Sequence, residues 1–305
     1  MLPGFSSLGR VARPVAVTLC PCYEGTSDSS EAVNAAYCAA LDGLTVGSFD
    51  RTAKGAYMYE LAKKADAIAG GSRQRQKRIM KEMRELQVPK KLPLAAAASI
   101  FIRTDEERLD VVRACITGPV GTPYAGGLFF FDVLFPQDYP TDAPLMLLET
   151  TGGGRIRFNP NLYADGKVCL SLLGTWHGSE QEKWHPESST LWQILVSIQA
   201  MVLVEDPYFN EPNVEQMRGQ ADGDVASARR NSQLRLDTIR WAMIDAIRNP
   251  RPGYEAAVTA HFKALRGTLL RQCQAWLKEE AVQGAQQQQR LAAAIAELHG
   301  LLAAL

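Results

Sequence analysis

Cys169 is the residue of this chain whose setting points most directly to chemistry. It stands eight positions after Asn161, the last member of an Asn159-Pro160-Asn161 turn. A thiolate is a strong nucleophile, and a nearby carboxamide donates hydrogen bonds to the oxyanion that forms when a carbonyl is attacked. Such a pair supports acyl transfer through a thioester, with no metal and no histidine base. The competing reading is an inert core thiol, since Val168 and Leu170 flank it with apolar surface.

Other polar groups near Cys169 in the sequence have alternative readings. Asp165-Gly166 has the composition of a turn, and Ser171 follows the cysteine by two positions. His177 and His185 fall in a polar stretch and read as surface residues. Cys115 lies in a β-branched run and reads as core. The six cysteines (Cys20, Cys22, Cys38, Cys115, Cys169 and Cys273) lack the paired spacing of a zinc site or a disulfide framework. A reducing compartment is the expectation, cytoplasmic and with the nucleus open as well.

The elements that must position these groups are legible from periodicity. Arg73 to Leu86 reads as a basic amphipathic helix with Ile79, Met83 and Leu86 as its stripe. Strands are expected within 93–102, 109–116, 127–135 and 146–151, each bounded by glycine or proline. Ser189 is a good N-cap for a central helix that runs to Val204, and further helices are expected over 236–247 and 254–277. A short helical pattern covers 56–68. Leu291, Leu298 and Leu305 recur at sevenfold spacing, which fits a short coiled coil or a simple amphipathic tail.

Thirty-three basic and thirty-three acidic residues cancel, so no excess of charge points to nucleic acid or a membrane surface. No apolar run approaches the roughly 18 residues of a membrane-spanning helix. The first 23 residues lack acids and carry Arg10 and Arg13, a faint likeness to a transit peptide that reads better as a flexible leader.

Several motifs then agree in order and register. Gly118-Pro119, Thr122-Pro123-Tyr124, Gly126-Gly127, Phe135-Pro136, Tyr139-Pro140 and Pro144 precede the cysteine, while Trp184-His185-Pro186 and the loop from Glu205 to Pro212 follow it. The pattern resembles the ubiquitin-conjugating enzymes, most closely a conjugating domain carried by giant inhibitor-of-apoptosis proteins, over about residues 42–280. Two departures stand out: Asn159 replaces the family's usual histidine, and Ser171 stands where an aspartate is common.

The resemblance implies an α+β ubiquitin-conjugating (UBC) fold: a four-stranded antiparallel meander with an N-terminal helix, a central helix and a C-terminal helical extension. It divides the chain into a flexible leader (1–41), a short helical lead-in (42–71), an extended conjugating domain (72–280, with core 72–212 and extension 213–280) and a helical tail (281–305). It makes Cys169 the thioester nucleophile and gives Asn161 either oxyanion support or a role in bracing the loop. It assigns Glu211, or Asn210 beside it, to orientation of the acceptor lysine. It puts Phe135, Pro136, Pro186 and Glu187 at the contact with RING or U-box ligases. The basic first helix, with Arg75, Lys77, Arg78 and Lys81, would face the activating enzyme and the ligase, or be a solvated face. Implied partners are ubiquitin, its activating enzyme and protein substrates, with no nucleic acid and no membrane. No cofactor or metal is implied, because ATP is consumed by the activating enzyme. Hybrid conjugating and ligase character, a catalytically weak UBC-fold binding subunit and a conjugating enzyme for another ubiquitin-like modifier all stay open.

Overall fold

The computed structural model describes residues 27–53, 59–68, 71–88, 90–280 and 284–305. Alternating side-chain direction dictates its centre. Strands β3 (Ala98–Asp105), β4 (Val111–Thr117), β5 (Leu128–Leu134) and β6 (Leu145–Leu148) form an antiparallel meander in sequence order. The register Ala114↔Phe131 with Ile116↔Phe129 sets one face, and Cys115↔Phe130 with Arg113↔Asp132 sets the other. Both faces are apolar and both are covered. An antiparallel sheet with one wet face would show polar residues at every second position; here Phe129-Phe130-Phe131 has none, and all three side chains are buried.

On the first face lie α3 (Arg73–Leu86) and α4 (Leu191–Ser197). The Ser72 hydroxyl accepts from the Arg75 N–H and starts α3, whose Ile79, Met83 and Leu86 enter the core at helical spacing. Thr190 and Gln193 form a reciprocal capping box that starts α4. Beyond Ser197 the helix loosens into a π-helical stretch, Ile198–Val202. Phe158, Leu162 and Val168, from the segment that leads to Cys169, sit in this same core.

The second face is covered by the helices at both ends of the described chain. Helix α5 (Ala221–Asp237) continues through a π-helical stretch (Thr238–Ile244) into the last turn, α6 (Asp245–Arg248). The long α7 (Glu255–Glu280) and then α8 (Ala285–Ala304) follow. Phe101, Cys115 and Phe130 of the sheet meet Ile239, Met243, Phe262, Leu265 and Leu298 in one cluster. The buried pair Arg113–Asp132, 2.5 Å apart, is set within this layer, and the Tyr254 hydroxyl donates to the Arg113 carbonyl at 2.7 Å.

Three expectations change here. The leader expected through residue 41 contains helix α1 (Ser27–Ala40), whose Tyr37, with Leu41 just beyond, is buried against α7; residues 1–26 lie outside the described residues. The lead-in holds α2 (Tyr59–Ala67) but also strand β1 (Val46–Phe49), which pairs in parallel with β3 and extends the sheet; a two-residue strand, β2 (Leu94–Ala95), pairs on β3 as well. Residues 56–58 of the expected 56–68 helix lie outside the described residues. The tail docks on the chain as helix α8 instead of offering its leucines to a coiled coil. Leu291, Ala294, Leu298 and Leu302 are buried against the second layer, so the heptad leucines find their partner within the same chain.

Candidate active site

Cys169 is 98% enclosed by its neighbours, with only 2% of its surface exposed. Asn161 grips it twice: the Cys169 N–H donates to the Asn161 carbonyl at 2.9 Å, and Asn161 Nδ2 donates back to the Cys169 carbonyl at 2.9 Å. This hydrogen bond braces the loop and uses one of the two N–H groups of the carboxamide that the sequence offers equally to the oxyanion. Asn159 lies one layer deeper and is wholly buried. Its Oδ1 accepts from the Asn161 N–H at 2.8 Å, and its Nδ2 donates to the Val202 carbonyl at 2.7 Å. The π-helical turn positions that carbonyl, since the Leu203 N–H reaches back five residues to Ile198. Asn159 therefore ties the cysteine loop to the central helix. In the sequence Asn159 stands out only as a departure from the family's histidine; the signal for its role is a residue that both donates and accepts at a turn beside the nucleophile.

The segment after the cysteine is held by Thr175. Its hydroxyl donates to the Val168 carbonyl at 2.7 Å and accepts from the Leu170 N–H at 3.0 Å. Ser171 donates to the His177 carbonyl at 3.4 Å, within the surface loop rather than toward the thiol. His185 is exposed, with its ring nitrogen on the Glu180 carbonyl.

Electrostatics at the thiol have opposing contributions. Burial pushes the Cys169 thiol above its ordinary value. The charges of Lys167 and Arg157 and a hydrogen bond with the Tyr163 side chain pull it down, while Asp165 pushes it up. Tyr163 has both cations near its ring: Arg157 Cζ lies 4.5 Å and Lys167 Nζ 5.8 Å from the centroid.

The acidic loop closes on this group. Glu211 forms an ion pair with Arg157 Nη2 at 3.2 Å. Asn210 Nδ2 donates to the Met201 carbonyl at 3.1 Å and reaches Asn159 Oδ1 at 3.5 Å, so Asn210 anchors the loop. From the other side, the Ser227 hydroxyl of α5 donates to Asp206 at 2.8 Å and Asn231 donates to the Glu205 carbonyl at 3.0 Å.

The residues expected at a ligase contact separate. Pro186 and Glu187 are exposed and Pro136 is partly so, but Phe135 is wholly buried against Tyr139, with ring centroids 4.6 Å apart. An aromatic ring in the core shapes that surface from beneath and touches no partner. The basic helix face is also reassigned in part. Arg75 is buried, donating to the Phe135 and Pro136 carbonyls and pairing with Asp110 at 2.7 Å. Arg78 donates to the Pro186 and Ser189 carbonyls and pairs with Glu82. Lys77 and Lys81 remain exposed. Two of the four charges thus fasten this surface instead of presenting it.

Among the described residues no cluster has the ligands to hold a metal ion, and no helix is long and apolar enough to cross a membrane. Comparison with known proteins is consistent in direction. The family profile for ubiquitin-conjugating enzymes matches residues 78–234. Human BIRC6, a dual E2 ubiquitin-conjugating enzyme/E3 ubiquitin-protein ligase also known as BRUCE, is 52% identical over 188 residues, 62% of this chain and 4% of its own length. A probable ubiquitin-conjugating enzyme of Caenorhabditis elegans, protein 17, is 42% identical over 76% of this chain and 32% of its own. A Toxoplasma gondii ubiquitin conjugating enzyme E2 domain of known structure aligns over 55% of this chain and 98% of its own, at 28% identity and a TM-score of 0.40. The chain thus spans only a small part of the curated relatives it matches.

Proposed function

Since the chain belongs to the ubiquitin-conjugating enzyme family, we propose that Cys169 accepts ubiquitin as a thioester from an activating enzyme and passes it to a lysine of a protein substrate. The observation that carries this is the reciprocal pairing of Asn161 with Cys169 on a loop that Asn159 locks to the central helix.

Loading is an exchange of thioesters. The Cys169 thiolate attacks the carbonyl carbon, a new carbon–sulfur bond forms, and the activating enzyme's thiol leaves. Transfer follows when an uncharged lysine amine attacks the same carbon. The carbon–nitrogen bond forms, the bond to Cys169 sulfur breaks, and the thiolate leaves without needing an acid. The lysine nitrogen gives up one proton before attack and one as the amide forms; the thiolate can retake one, and the other passes to solvent.

The difficult partner is the amine, whose unperturbed pKa is about 10.4. Glu211 orients it, and the walls of Tyr163 and the acidic loop exclude water. Asn161 acts chiefly by holding the thioester-bearing backbone in place. Removing a donor that also reaches the oxyanion would cost about 2.7–4 kcal/mol in the barrier. Pro136, Pro186 and Glu187 supply a surface for a RING or U-box ligase. Ligase activity within the same polypeptide is a further property that the likeness to the dual E2/E3 relative supports. ATP is consumed by the activating enzyme, so this reading calls for no cofactor here, and a free thiol suits the cytoplasm.

The test is charging. With ubiquitin, ATP and an activating enzyme, the wild type should form an adduct that reductant removes. Cys169→Ser should form one that resists reductant, and Cys115→Ser, altered at a buried strand position, should still charge. Charging that persists in Cys169→Ala would overturn the assignment.

A further inference from the structure

The ion pair between Arg157 and Glu211 joins the cysteine loop to the acidic loop. One end belongs to the strand-like run entering the cysteine loop, the other to the acidic loop. Arg157 Nη2 serves both the Pro160 carbonyl at 2.8 Å and the Glu211 carboxylate at 3.2 Å. The guanidinium stacks on Tyr163, and both Arg157 and Tyr163 pull the Cys169 thiol down. A cation thus rests on the carboxylate assigned to the acceptor, one aromatic ring away from the nucleophile. We propose that Arg157 is a built-in competitor for the acceptor lysine, occupying Glu211 in the resting enzyme so that an incoming ammonium must displace it. This rests on the assignment of Glu211 to acceptor orientation.

Several features make displacement feasible. The Arg157 carbonyl is held by Arg230 of α5, so its backbone is anchored while the side chain reaches outward. The two side chains of the pair remain 39% and 42% exposed. Pairs of that exposure are weak, worth about 0.2–1 kcal/mol in general. Arg157 Nε, by contrast, is buried and has no hydrogen-bond partner among the described residues, so the present pose leaves one of its donors unsatisfied. A lysine ammonium offers Glu211 the same charge in a more compact form. Arg157 is therefore a specificity-setting residue that acts through Glu211.

The competition is read by single-turnover discharge of purified, ubiquitin-charged enzyme against free lysine, with hydroxylamine as an acceptor that is uncharged at neutral pH. Arg157→Gln should lower the KM for lysine about two- to fivefold, the range set by an exposed pair. The preference for lysine over hydroxylamine should rise by a similar factor. Arg157→Lys should restore the wild-type KM, and Arg157→Gln should have no effect in a Glu211→Gln background. A loop damaged by the substitution would instead change both acceptors alike in both backgrounds, and that result overturns the inference. So does an unchanged or raised KM in Arg157→Gln while Glu211→Gln still slows lysine discharge, an outcome that leaves the role of Glu211 intact. If Glu211→Gln discharges to lysine at the wild-type rate, the role of Glu211 falls and the inference falls with it. Should Arg157→Gln not charge, Arg157→Met, which keeps an unbranched stem against Tyr163, is judged by the same criteria.

Discussion

At Cys169, burial and charge oppose one another, and the balance predicts measurable reactivity. Desolvation holds the thiol above its ordinary value of 9.0, so thiolate is a small fraction at neutral pH. Alkylation by iodoacetamide should therefore climb roughly tenfold per unit between pH 7 and 8. Lys167 is exposed and lowers the thiol, while Asp165 raises it. Lys167→Gln should slow alkylation a few-fold and Asp165→Asn should speed it, with both differences shrinking as salt screens the charges. Equal rates in all three proteins at low salt would show that these charges do not reach the sulfur. The residues involved differ in how readable they were. Cys169 and Asn161 stand out because nucleophile and carboxamide have a distinctive spacing. Arg157, Lys167 and Tyr163 do not, because their importance comes from sharing one aromatic ring, and that proximity is a product of the loop's path.

Among the elements, periodicity identifies a helix but leaves its partner undefined. The four meander strands, α3, α4 and α7 were all expected, because glycine, proline and caps bracket their apolar stripes. The alternation along β4 and β5 also carries a message less easily read: apolar residues at consecutive positions require a cover on each face. That cover is supplied by α7 together with α1 and α8, and the sequences of the last two give only weak or ambiguous stripes. The heptad leucines of α8 fit a coiled coil with a second copy equally well, yet Leu291 and Leu298 are wholly buried in this chain. Leu298→Ala should cost about 2–5 kcal/mol, the usual range for a buried leucine truncation. Urea unfolding should show a lower midpoint with little change in slope. A loss below 1 kcal/mol would mean that α8 packs loosely and detaches readily. The helical extension also reaches the acidic loop, since Ser227 and Asn231 of α5 hold Asp206 and Glu205. The extension thereby holds the acidic loop as well as covering the sheet.

Across the whole molecule, His261 links the outer helical layer to the sheet, and its protonation tests how firmly the two are joined. The ring is buried between Tyr37 of α1 and the Gly126 carbonyl. A carbonyl only accepts, so Nε2 carries the proton and the Tyr37 hydroxyl donates to Nδ1. Burial lowers the histidine from 6.5 to about 4, partly countered by the Gly126 bond. The sign follows from proton uptake. Between pH 6.5 and 4 the unfolded chain binds a proton at this site that the folded chain refuses, so stability falls as pH falls through that window. Full passage through it removes on the order of 3 kcal/mol from this one group. His261→Gln retains a donor and an acceptor but does not titrate. Its stability at pH 7 should sit somewhat below the wild type, while its loss between pH 7 and 5 should be smaller. Parallel unfolding curves for the two proteins across that range would place the acid sensitivity elsewhere and leave His261 a purely structural hydrogen-bonding residue.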